Sequence, residues 1–116
     1  MKIYRQKVIR RMDALGYAES TFGTRLIREA VQLVAENSRA MFCKDVYPTL
    51  AKKFGMTPSA VERSMRAATE KARRSPSWEF AWRVLGGVNT PTNGEIVWRL
   101  VRECAEAEEE EELSFE

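Results

Sequence analysis

Apolar residues recur along this chain at intervals of three and four, the spacing of a helix with one buried face. Ile3 or Tyr4, then Val8, Met12 and Leu15, predict an opening helix stopped at Gly16. Leu26, Ile27, Ala30, Val31 and Val34 predict a second one reaching Glu36 or Asn37. Val46, Tyr47, Leu50, Ala51 and Phe54 predict a third from about Asp45 to Phe54, with the segment up to Cys43 either a loop or its frayed start. Val61, Met65, Ala68 and Ala72 form one stripe of a fourth, expected over residues 58–74. A short fifth helix is expected from a Ser77 cap through Leu85, closed by Gly86 and Gly87. Thr92 and Glu95 make a capping box opening a sixth, whose apolar face is Ile96, Val97, Leu100, Val101 and Cys104. No alternating pattern predicts a strand, so the expected fold is all-α, six helices without a wing.

The third and fourth helices are joined by a corner with its own chemistry. Gly55 can adopt the positive φ that ends a helix sharply. Thr57 offers a hydroxyl to a free N–H of the next turn, and Pro58 stands at the first helical position, where a missing N–H costs nothing. Small Ala51 sits where two helices would cross, Gly55 four residues later, and apolar Val61 six beyond that, as in a helix-turn-helix. Opposite the apolar stripe of the fourth helix lie Ser59, Arg63, Arg66 and Glu70. Such a corner also occurs in proteins that bind no DNA, where an arginine-bearing face is solvated surface. Trp78, Phe80 and Trp82 are read as core, since no strand-like platform accompanies them for base stacking.

Composition sharpens this picture. With 116 residues, 44% hydrophobic and 31% charged, the chain fits one soluble domain. The net charge of +2 conceals an asymmetry: seven of 17 acidic residues fall in positions 106–116, leaving residues 1–105 with 19 basic against 10 acidic groups, an excess of +9. An excess of that sign attracts nucleic acid. The division is therefore a domain over 1–105 and a flexible acidic tail over 106–116. Histidine is absent, and the two cysteines, Cys43 and Cys104, have no metal-ligand spacing. Neither catalysis, a metal nor a cofactor is expected. Reduced thiols are the simplest reading, with a disulfide left open. No apolar run of membrane length and no signal peptide is evident, so a cytoplasmic location without membrane contact is expected.

The segments LIREAVQLVAEN, KDVYPTLAKKFGMTPSAVERSMRAA and PTNGEI follow one another as in a known family. From about Val8 to Cys104 the chain resembles the DNA-binding effector domain of the sporulation-initiation response regulator of endospore-forming bacteria. The resemblance implies a six-helix domain whose fourth helix enters the major groove of double-stranded DNA, often at tandem boxes. Base reading then maps onto Glu62, Arg63 and Arg66, and arginine suits guanine while a carboxylate suits the cytosine amino group. Thr57, Ser59, Lys52, Lys53 and Arg73 are the accompanying DNA-binding residues. A homodimer on DNA and an RNA polymerase contact complete the implied partners. Three positions depart from the family: Ala60 replaces an arginine, Ala67 a histidine and Thr90 a lysine. The family's receiver domain is not in this chain either. The expected function is a stand-alone, sequence-specific transcriptional regulator. The alternative is a decayed copy that antagonises a full-length regulator through protein contacts.

Overall fold

The computed structural model describes residues 2–105. The acidic segment 106–116 lies outside the described residues. Six α-helices are present among them: α1 (Arg5–Leu15), α2 (Phe22–Glu36), α3 (Tyr47–Phe54), α4 (Pro58–Ala72), α5 (Trp78–Val84) and α6 (Asn93–Cys104). The only extended pairing among these residues is an isolated antiparallel bridge, Ile3 with Ala105, which ties the entry of α1 to the exit of α6.

The apolar stripes predict the core. Leu26, Ile27, Val31 and Val34 of α2 are buried together with Val61 and Met65 of α4 and Ile96, Val97 and Leu100 of α6. Helix α2 packs against both α4 and α6 and is the central strut for these two helices. Helix α1 lies across α5 and α6 and closes the far side. At the start of α1, Ile3 packs against the core while Tyr4 is 48% exposed, which decides between them.

The structure departs from the expected elements in five places. The third helix does not begin at Asp45, because a π-helical turn, Phe42–Val46, leads into it. Pro48 cannot donate to a carbonyl four residues back and its ring would crowd that carbonyl; the wider turn relieves this, with Val46 N–H bonding Met41 O at 3.0 Å. The Asp45 carboxylate adds a bond from Met41 N–H at 2.8 Å. Helix α4 ends at Ala72 rather than residue 74, since Pro76 disfavours helical backbone at Ser75. Ser77 makes no cap bond: its hydroxyl pairs with that of Ser75 at 2.9 Å, and α5 stops at Val84. Trp78 and Trp82, one turn apart, are buried, but Phe80 points the other way and is 77% exposed. Both cysteines are free thiols, Cys43 exposed and Cys104 buried.

Candidate nucleic-acid interface

The corner between α3 and α4 is built as its residues dictate. Gly55 takes φ 64° and ψ 41°, the left-handed conformation that ends α3. Thr57 then stands in extended backbone, and its hydroxyl accepts from Ala60 N–H at 3.1 Å. Ala51 is buried at the junction. Val61, Met65, Ala68 and Ala72 are all buried, joined by Thr69, so one side of α4 is committed to the core. The other side presents Ser59, Arg63 and Arg66 to solvent, spaced by four and three residues along one face.

Charge on this face is only partly compensated. Arg66 Nε donates to Glu62 Oε1 at 3.0 Å and its Nη2 to Glu62 Oε2 at 3.3 Å, so two of the residues expected to read bases hold each other. An exposed pair of this spacing is worth about 0.3–0.5 kcal/mol and can open for a better partner. Arg63 makes no ion pair among the described residues, and its guanidinium faces solvent.

The remaining expected residues divide by position. Thr57 opens α4, with its hydroxyl already used in the cap. Lys52 is exposed on the last turn of α3. Lys53 turns toward α2 instead, its ammonium 2.9 Å from Glu29 Oε2 and 5.6 Å from the centre of the Phe54 ring. Arg73 caps the far end of α4 and pairs with Glu70 at 3.1 Å. With a rise of 1.5 Å per residue, it stands roughly 15 Å along the axis from Arg63. Ala60 is half-buried beside the cap, whereas Ala67 and Thr90 are exposed.

Two residues missed by the sequence reading border this face. A groove of about 370 Å³ runs between α4 and the start of α6, with Tyr47, Glu62, Arg66 and Asn93 among its walls. The capping box of Thr92 and Glu95 fixes the first turn of α6 and thereby Asn93. The Asn93 amide donates to Tyr47 Oη at 3.2 Å and to the Glu62 backbone carbonyl at 3.1 Å. Burial raises the Tyr47 pKa above its ordinary value of 10.0, partly offset by the bond from Asn93. The available signal was an asparagine, a poor helix former, directly after a cap.

No helix among the described residues is long and apolar enough to cross a membrane. A family model described as sporulation initiation factor Spo0A C terminal matches residues 8–104, from the second turn of α1 to the last residue of α6.

Proposed function

This chain belongs to the family of sporulation initiation factor C-terminal domains, DNA-binding effector domains of a sporulation regulator, and we propose that it reads double-stranded DNA through the first half of α4. The supporting observation is the outer face of that helix, where Arg63 and the Glu62–Arg66 pair stand exposed or half-exposed above a fully buried stripe. A helix so divided can enter the major groove with its N-terminal half leading.

In this reading Arg63, which forms no ion pair among the described residues, donates two hydrogen bonds to guanine O6 and N7. Docking opens the Glu62–Arg66 pair, releasing the carboxylate to accept from a cytosine amino group and the guanidinium to reach a second guanine or a phosphate. Lys52 and Ser59, the latter through its hydroxyl and its backbone N–H, meet the DNA backbone, holding register without reading sequence. Tandem boxes would seat two copies, and regulation would run through a contact with RNA polymerase.

Binding-site selection followed by a salt titration tests the proposal. About three to five phosphate contacts give a slope of log K against log salt of roughly −3 to −5. Recovery of random sequences together with a slope near zero would remove α4 as a DNA-reading element.

A further inference from the structure

Base reading by Arg63 depends on how α4 is rotated about its own axis. A rotation of about 10° moves a side-chain tip some 6 Å from that axis by about 1 Å. Productive contacts tolerate about half of that. The hydrophobic drive that buries the apolar stripe is non-directional, so it selects a side of α4 rather than an angle. Something directional is needed.

The Asn93 side chain supplies it. It is 9% exposed and reaches α4 at a single backbone atom, the Glu62 carbonyl oxygen, 3.1 Å away. A carbonyl can only accept, so the amide nitrogen and not the oxygen must face it. The same nitrogen gives its second hydrogen to Tyr47 Oη at 3.2 Å, on the first residue of α3. One amide therefore bolts the reading turn of α4 to α3 and α6.

A second bolt lies two turns further on, where the Tyr17 hydroxyl meets Thr69 Oγ1 at 2.6 Å, buried. Glu62 and Thr69 are seven residues apart, so at 100° per residue they fall within about 20° of each other around α4. Both attachments thus act along one line of the helix. The bolt at Glu62 adjoins Arg63, whereas the one at Thr69 lies beyond Arg66.

We propose that Asn93 is a positioning residue for sequence recognition, fixing through the Glu62 carbonyl and Tyr47 the rotation of α4 at which Arg63 meets its base. The inference rests on the proposed DNA reading by α4. Asn93 touches no base in it and acts only through the helix.

The test compares the native protein, Asn93→Ala and Tyr47→Phe, with fold checked by circular dichroism. Affinities are measured for the selected site and for random DNA, the latter at several salt concentrations. Asn93→Ala should lower the ratio of specific to random affinity about tenfold, leaving random-DNA affinity and its salt slope unchanged. Tyr47→Phe keeps the Glu62 bond and the ring, and should lower the ratio by a smaller factor; it carries the test if Asn93→Ala fails to fold. Equal losses on both DNAs in the folded variants, or an unchanged ratio, would overturn the positioning role alone. A native protein with no site preference would overturn the base reading and this role with it.

Discussion

Gly23 and Ser64 stand at a close approach of α2 and α4: a Cβ built on Gly23 would run into the Ser64 carbonyl oxygen and lie 2.8 Å from the Ala68 Cβ. The atom in the way is backbone, which cannot swing aside as a long side chain would. Inside a helix, alanine normally gains about 1 kcal/mol over glycine. Here overpacking of about 1–3 kcal/mol opposes and outweighs it. Gly23→Ala should therefore destabilise the domain by a net 1 kcal/mol or so, lowering Tm by about 4–8 °C. A thermal melt checks this, and an unchanged or raised Tm would mean that α4 moves away without cost.

The Tyr17–Thr69 bond is the other fixed point on α4. Tyr17→Phe leaves the Thr69 hydroxyl, on a residue only 3% exposed, without its partner and should cost about 1–3 kcal/mol. Replacing both partners with apolar groups, Tyr17→Phe with Thr69→Val, should cost less than the two single changes added together. Additive losses in urea melts would show that the two hydroxyls do not cooperate.

Alkaline pH should loosen the fold. Burial, the largest cause, pushes the Cys104 thiol from 9.0 up to about 11. Burial likewise raises Tyr17 above its ordinary 10.0, against a smaller lowering by Thr69. The folded state thus holds these protons more tightly than the unfolded one. The Cys104 contribution is complete below its unfolded value near 9 and is lost as pH rises through the folded value near 11, while that of Tyr17 begins to be lost only above its ordinary 10.0. The denaturation midpoint should fall over that interval, and Cys104→Ala should remove part of the slope. A midpoint level from pH 9 to 11 would contradict the assignment.

Arg63 and Lys52 should fail in different ways. Arg63→Ala should cost about 1–3 kcal/mol on the best site and relax preference at one base pair. Lys52→Ala should weaken all sequences evenly and reduce the salt slope by about 0.9. Ala60→Arg should add discrimination at the neighbouring base pair. Site selection with these variants decides it, and identical preferences for native, Arg63→Ala and Ala60→Arg proteins would exclude α4 from base reading.

The three aromatics around α5 should separate by burial. Trp82 is 5% exposed, and its indole N–H bonds Asn89 O at 2.8 Å, so Trp82→Ala should cost about 3–5 kcal/mol. Phe80→Ala, at a solvent-facing position, should change stability by less than about 0.5 kcal/mol. Similar losses in denaturant melts would refute the difference in environment.

Much of this protein is written locally in its sequence. The interval of three and four that selects Val61, Met65, Ala68 and Ala72 is a property of the helix itself, so which side of α4 is buried follows without any partner. The same holds for Gly55, Thr57 with Pro58, and the box of Thr92 and Glu95, whose bonds span a few residues. Exposure of Phe80 was also within reach, being set by its angle from Trp78 and Trp82. Tertiary structure decided what depends on distant chain. Asn93 meets Glu62 across 31 residues and Tyr47 across 46, and Tyr17 meets Thr69 across 52. Lys53 turns to Glu29 on another helix, 24 residues away, where charge counting alone would aim it at DNA. These contacts arise from how helices cross, and periodicity records each helix's buried face but not the angle at which two such faces meet.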